Sequence, residues 1–296
     1  MSTASGSDET VDEPDEDRPR IKGGHLLPNL VTLLNALAGV MAIAQLFKAM
    51  QYGEPRHLEY AAWLILLGML FDGLDGKLAR MMNSTSFFGI ELDSLCDAIT
   101  FGVAPALLMY IAVYQLRTHG GGHPVLETLS FPVAALYLFC VLVRLARFNV
   151  EKDIEAAEHG DFAGLPSPAA AGVISSGILF MLILGERLYG EVSLPEIVGY
   201  GFVQLMLQAA PWLVFMLALS MVSRIRYPHL LDRIEMGDYT YLQAVVSAVI
   251  ALGIVVLMLF DPVLTPVTTL FGVFFLYALS GPLEWAGYAL LNGHDR

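Results

Sequence analysis

The chain has 296 residues, of which 56% are hydrophobic and only 15% are charged, whereas soluble domains carry about 25% charged residues. Apolar runs of about 20 residues, the length that spans a bilayer as a helix, recur along the sequence. The alternating segments of about ten residues that are typical of a membrane barrel do not occur in it. The composition therefore predicts an all-α polytopic membrane protein, and it gives no indication of nucleic-acid binding.

The formal net charge of −13 comes in large part from the N-terminus. Residues 1–24 begin with "MSTASGSDETVDEPDED", which is acidic and has no apolar core. They are predicted to form a disordered cytoplasmic tail. The tail is not expected to be a signal peptide, because it lacks a basic start followed by an apolar stretch.

Eight membrane spans are predicted from the apolar runs. They cover residues 29–50, 57–80, 89–115, 130–149, 166–184, 203–223, 241–260 and 264–291. The distribution of Lys and Arg predicts their orientation, because cytoplasmic loops are rich in these residues. With the N-terminus inside, twelve of the 16 Lys and Arg residues lie on the cytoplasmic side. Both termini and the junction between the second and third spans are then expected to face the cytoplasm.

Four aspartates lie at that junction. Asp72 and Asp75 are three residues apart, within about 60° of each other on a helix, and Gly89, Asp93 and Asp97 recur every four residues, each within about 40° of the next. The short link between the two spans makes their helices neighbours, so the four carboxylates are expected to converge. The alternative is a row of solvated charges at the membrane surface.

Clustered carboxylates at a membrane edge indicate bound cations. Each uncompensated charge in the bilayer costs about 2.5–3.5 kcal/mol, and carboxylate oxygens are ligands that suit Mg²⁺ or Mn²⁺. Because one Mg²⁺ draws few ligands from protein, two ions are expected, an arrangement that stabilises the entering and leaving oxygens of a phosphoryl displacement.

Small residues and one arginine accompany the first two acids. Gly73, Gly76 and Ala79 leave room for a bulky ligand beside the helix, although helix–helix packing is the alternative for such residues. Arg80 offers a planar fork that matches phosphate.

The motif "DGLDGKLAR" (72–80), followed after eight residues by "GIELDSLCD" (89–97), resembles the signature of the CDP-alcohol phosphatidyltransferases. The resemblance implies a membrane enzyme with a six-helix core, commonly a homodimer, that joins a phosphatidyl group to an alcohol and releases CMP. Residues 25–185 would form the catalytic core, and residues 186–296 would complete the same membrane domain.

The resemblance also assigns roles to the motif residues. Asp72, Asp75 and Asp93 would ligate the metal ions. Asp97 would be the general base on the acceptor hydroxyl and would also contact a metal. The residues that would border the CDP moiety are Gly73, Gly76, Ala79 and Arg80.

Four further stretches resemble the phosphatidylserine synthase branch of this family, in which the donor is CDP-diacylglycerol and the acceptor is L-serine. They are "LPNLVTLLNALAGVMAI" (27–43), "LCDAITFGVAPALLMY" (95–110), "RLARFNV" (144–150) and "GLPSPAAAG" (164–172). The resemblance is strongest over about 27–185. An inner or cell membrane of the bacterial type is the expected location.

Binding of the two substrates is assigned to further polar residues. Arg144 and Arg147 share a helix face and could bind the serine carboxylate, with Asn149 adding a polar contact; the alternative for the arginines is a role as positive-inside anchors. Asn29 and Thr32 could reach the cytidine, and the alternative for Asn29 is a helix N-cap.

Other functions remain open from the sequence. A relative within the family could use glycerol 3-phosphate, inositol phosphate or choline as the acceptor. A cation transporter could use the carboxylates as a pathway, although no matching site is evident deeper in the spans. An intramembrane prenyltransferase also clusters aspartates around Mg²⁺, but a second acidic motif would be expected far along the chain.

Overall fold

A computed structural model describes the chain over residues 26–82, 87–118, 124–155, 164–189, 201–225, 227, 258–259 and 261–292. These residues are helical with short connections, and they contain no strand. The α-helices are α1 (Leu26–Tyr52), α2 (Pro55–Met81), α3 (Phe87–Asp97), α4 (Ala104–Thr118), α5 (Pro124–Glu155), α6 (Ser167–Tyr189), α7 (Gly201–Val222) and α8 (Leu264–Asn292). A π-helical segment, Ala98–Val103, joins α3 to α4.

Six of the described helical segments are long and apolar enough to cross a membrane, which confirms the all-α polytopic class. They are Leu27–Tyr52, Phe88–Gln115, Thr128–Val150, Ser167–Arg187, Leu205–Val222 and Leu264–Glu284. The second predicted span is helical as α2 but is not among the six, and its last turns carry the charged part of the motif. The predicted tail lies outside the described residues, as does the predicted seventh span except for residues 258–259.

α6 and the continuous α3–α4 helix form the centre of the bundle. Of the residues in the most apolar stretch of α6, 78% are buried, against 17% in the corresponding stretch of α8. α6 contacts α2, α7 and α8, and α4 contacts α1, α2, α5, α6 and α7. The outward faces of α1, α5 and α7 expose large apolar side chains, as expected of helices that meet lipid. The division of the chain at residue 185 stays a prediction.

A tight turn sets α2 alongside α1. Gly53 adopts a left-handed backbone with φ of 69°, which is accessible to glycine without a steric penalty. Its N–H donates to the carbonyl of Ala49 at 2.9 Å and closes α1. Pro55 then starts α2, where its missing N–H costs no helical hydrogen bond. The two helices run antiparallel, so the end of α2 lies beside the beginning of α1.

Candidate active site

Two neighbouring helices bring three of the four predicted acids together. Asp72 and Asp75 lie near the end of α2, and Asp93 lies in α3. One carboxylate oxygen from each residue lies within 4.8 Å of the others. Asp75 is only 5% exposed, and the other two are half-buried. The prediction that the acids converge is therefore confirmed for three of the four.

The fourth acid stands beside this group rather than within it. Asp97 ends α3 and is 7% exposed, and its carboxyl group lies close to that of Asp72. Its Oδ1 accepts a hydrogen bond of 3.0 Å from Nδ2 of Asn35 in α1. Asp97 therefore has a protein donor of its own, which suits its predicted role as a base.

The carboxylate group fits a divalent cation. Oδ2 of Asp75 is buried and has no hydrogen-bond partner among the described residues, and a buried polar atom in that state is costly. Three carboxylates at this separation also repel one another. A hard cation between their oxygens removes both costs, because Mg²⁺ and Mn²⁺ prefer oxygen ligands. The alternative of separate solvated charges does not describe a buried Asp75.

Gly73 and Gly76 border open space. A Cβ added at either position would meet no atom of the described residues within 4 Å, so none of the described helices packs against these two glycines. Arg80 is exposed on the same end of α2. Ala79 lies in α2 between Gly76 and Arg80, but its side chain is outside the described part.

The two predicted cytidine residues lie at the beginning of α1. Thr32 is 5% exposed; its hydroxyl donates to the carbonyl of Pro28 at 3.1 Å and neighbours the carboxyl group of Asp75. Asn29 is half-buried. The alternative of an N-cap role for Asn29 is wrong, because α1 begins at Leu26 and already includes it.

The predicted serine-binding residues lie near the end of α5. Oδ1 of Asn149 accepts a hydrogen bond of 3.1 Å from the hydroxyl of Ser94, the residue that follows Asp93 in α3. Asn149 is thereby held next to the helix that carries two of the acids. Arg144 interacts electrostatically with Tyr277 of α8, and both Arg144 and Arg147 are half-buried. Their role in binding serine stays a prediction.

Asn35 was not predicted to belong to the site. It is fully buried, although exposed apolar residues such as Leu33, Leu34 and Leu37 surround it in α1. A signal was present in the sequence, because Pro28, Thr32 and Asn35 are spaced i, i+4, i+7 and form one face of a helix. All three are buried. A polar residue on the buried stripe of an apolar helix marks a contact with another polar group.

The comparison with known families agrees with this geometry. A family model described as CDP-alcohol phosphatidyltransferase matches residues 25–217, a range that contains all four acids. The chain belongs to this family of membrane transferases, whose members use divalent metals.

Among curated proteins, the chain is 34% identical over 206 residues to a CDP-diacylglycerol–serine O-phosphatidyltransferase of Helicobacter pylori, covering 69% of this chain and 73% of that protein. It is 35% identical over 153 residues to the protein of the same name from Saccharomyces cerevisiae, covering 50% and 51%. It is 33% identical over 204 residues to the archaetidylserine synthase of Methanothermobacter thermautotrophicus, covering 68% and 69%.

Proposed function

We propose that this chain transfers the phosphatidyl group of CDP-diacylglycerol to the hydroxyl of L-serine, giving phosphatidylserine and CMP. The observation that carries the proposal is the group of three carboxylate oxygens within 4.8 Å on two membrane helices, in a member of the CDP-alcohol phosphatidyltransferase family. The acceptor is inferred from relatives that are named for transfer to serine.

Asp72, Asp75 and Asp93 would hold the cations, which we propose to be two Mg²⁺ or Mn²⁺ ions, with Asp97 contacting one of them. When bound, the ions supply charge neutralisation for the pyrophosphate and for the entering and leaving oxygens. Asp97 takes the proton of the seryl hydroxyl as its oxygen bonds to the phosphorus that bears diacylglycerol. The bond from that phosphorus to the bridging oxygen breaks, and the electron pair leaves with CMP.

The remaining predicted residues would orient the two substrates. Gly73 and Gly76 would let the nucleotide approach the backbone of α2, because no atom of the described residues lies within 4 Å of a Cβ added at either position. Arg80 and Ala79 would border the same nucleotide. The residues proposed to orient the cytidine and the serine carboxylate are Asn29, Thr32, Arg144, Arg147 and Asn149.

An acceptor assay tests the proposal. The purified protein is supplied with CDP-diacylglycerol, Mn²⁺ and, in separate reactions, labelled serine, glycerol 3-phosphate, inositol phosphate or choline. We expect CMP release with serine alone and equimolar labelled phosphatidylserine. CMP release with a different acceptor would reassign the alcohol, whereas no CMP release with any of them would contradict the transferase activity itself.

The stereochemistry at phosphorus tests the direct transfer. Attack by the seryl oxygen on phosphorus in a single step inverts a chiral, isotopically labelled phosphate. Retention would indicate a covalent enzyme intermediate and would contradict the direct transfer.

We also propose a homodimer in a membrane of the bacterial type, with the acids and both termini in the cytoplasm. The excess of Lys and Arg on that side supports the orientation, and the family resemblance supports the dimer. Labelling of single cysteines introduced at Arg80 and at Tyr52 tests the orientation, since only the former should react from the cytoplasmic side. The mass of the protein in detergent tests the dimer.

A further inference from the structure

Three elements of the bundle meet at the side chain of Asn35. Its Nδ2 donates to Oδ1 of Asp97 at 3.0 Å. Its own Oδ1 is buried, has no hydrogen-bond partner among the described residues, and lies against Gly68 of α2, where an added Cβ would stand 3.0 Å from it. The amide is therefore enclosed between α2 and the end of α3, with its donor side facing Asp97.

The backbone at Asn35 is fixed by the π-helical segment. The hydroxyl of Thr100 donates to the main-chain carbonyl of Asn35 at 2.9 Å. Thr100 is fully buried and sits in a notch formed by two glycines, since a Cβ at Gly39 or at Gly68 would come within 2.5 Å of its side chain. A π-turn places one more residue in the turn than an α-helix does and is frequent at functional sites. Here it begins immediately after Asp97.

We infer that Asn35 is a positioning residue for Asp97: its amide holds one oxygen of the carboxylate, so that the other oxygen is presented to the hydroxyl of the acceptor alcohol. The inference rests on the proposed function, in which Asp97 is the base. Among the described residues, the side chain of Asn35 forms a hydrogen bond with Asp97 and with neither acid of α2, and it is not assigned a contact with the substrate. It acts on proton removal through Asp97, and its loss should change the affinity for metal ions only slightly, because Asp72, Asp75 and Asp93 would supply most of the ligands.

Loss of the amide should lower kcat and leave KM almost unchanged. A carboxylate that is free to rotate spends less time in the reactive position, and a displacement of about 1 Å can cost about 10²-fold in rate. We expect Asn35→Ala to lower kcat by about 10- to 100-fold, with KM for serine and for CDP-diacylglycerol within about threefold of the original values.

Gln115→Ala is the matched control. Gln115 is also a buried amide, and its Nε2 donates to the carbonyl of Ala49 in α1 at 2.6 Å. It therefore links the same two helical stretches as the Asn35–Asp97 pair. It lies 18 residues beyond Asp97, about 27 Å along a helix. We expect Gln115→Ala to lower the unfolding temperature about as much as Asn35→Ala does, with kcat retained.

Binding of Mn²⁺, measured by electron paramagnetic resonance, provides a readout that does not depend on turnover. We expect Asn35→Ala to bind Mn²⁺ with an affinity within about threefold of the unchanged protein, whereas Asp93→Asn should lose the site. Turnover is expressed per Mn²⁺-binding site, so that a fraction of unfolded protein does not count as a lower kcat. A kcat for Asn35→Ala that matches that of Gln115→Ala would overturn the inference.

Exchanging the residues at positions 35 and 97 distinguishes the effect of the hydrogen bond on stability from the effect of Asp97 on turnover. Asn35→Asp keeps the shape of the side chain but replaces its donor with an acceptor, so it should lower kcat at least as far as Asn35→Ala. Adding Asp97→Asn restores a hydrogen bond between the two side chains in the opposite direction, so the unfolding temperature should recover. Turnover should be abolished, because the proposed base is then an amide. Recovery of turnover in the exchanged protein would contradict the assignment. If the unchanged protein releases no CMP with any acceptor, the proposed function itself has failed.

Discussion

The two ends of the helical bundle differ in how their polar side chains are paired. At the end where α1 stops and α2 starts, His57 Nδ1 lies 2.9 Å from Oε1 of Gln45, and Arg187 of α6 forms an ion pair of 3.0 Å with Asp261. At the other end, three carboxylates lie within 4.8 Å of one another, and Oδ2 of Asp75 is buried without a partner among the described residues. At the first end these polar side chains pair with one another, whereas at the second a buried carboxylate oxygen has no partner among the described residues.

A similar contrast divides the glycines of α2. Gly68 lies in a packed interface, where an added Cβ would collide with the side chain of Thr100. Gly73 and Gly76, within about two turns of it, face open space. Absence of a side chain therefore allows two helical segments to approach each other at Gly68, whereas at Gly73 and Gly76 it leaves space in which we propose that the nucleotide binds.

Removing one acid of the carboxylate cluster should have the largest effect on turnover. Asp75→Asn should lower turnover by at least about 10³-fold, because cations at such sites supply several kcal/mol of charge stabilisation. Without metal, the same change should raise the unfolding temperature, because it removes a buried and repelled charge. Added Mn²⁺ should raise the unfolding temperature of the unchanged protein. It should not change the unfolding temperature of the variant. A variant that is still stabilised by Mn²⁺ would contradict the site.

Substitutions at Gly76, which faces open space, and at the packed Gly68 should have different effects on substrate binding and on stability. Gly76→Val should keep the bundle folded but raise KM for CDP-diacylglycerol by roughly tenfold, equivalent to about 1.4 kcal/mol, because the side chain enters the space proposed for the nucleotide. Gly68→Ala should lower the free energy of unfolding by about 1–3 kcal/mol through overpacking. Thermal unfolding and initial rates on both variants measure this. Destabilisation of Gly76→Val to the same degree would show that its surroundings are packed.

Removing the ion pair at the opposite end should have the smallest effect. Arg187→Ala leaves Asp261 with its backbone donors, since the N–H groups of Val263 and Leu264 both donate to its Oδ1. The N–H of Leu264 is also the main reason why the pKa of Asp261 lies below its ordinary value. We expect unchanged kcat and KM and only a small shift in unfolding temperature, because exposed ion pairs stabilise proteins weakly. A large fall in kcat would mean that the two ends are coupled.

The sequence predicted the class of fold and the chemistry of the site because both depend on local spacing. Runs of about 20 apolar residues specify membrane helices, and acids at intervals of three and four residues must share a helix face. The short link between α2 and α3 keeps the acid-bearing faces of the two helices close together. All four acids were grouped from their positions in the chain, and the structure places three of them, Asp72, Asp75 and Asp93, in one cluster.

Other features depended on contacts between residues that are distant in sequence. Spacing assigns a residue to a face of its helix, but it does not state which neighbouring helix covers that face. Only the tertiary structure paired Asn35 with Asp97, 62 positions away, and distinguished the packed Gly68 from the open Gly73. Burial and pairing of the polar atoms depend on how α1, α2 and α3 pack, so only the tertiary structure could show which of them have a hydrogen-bond partner among the described residues and which do not.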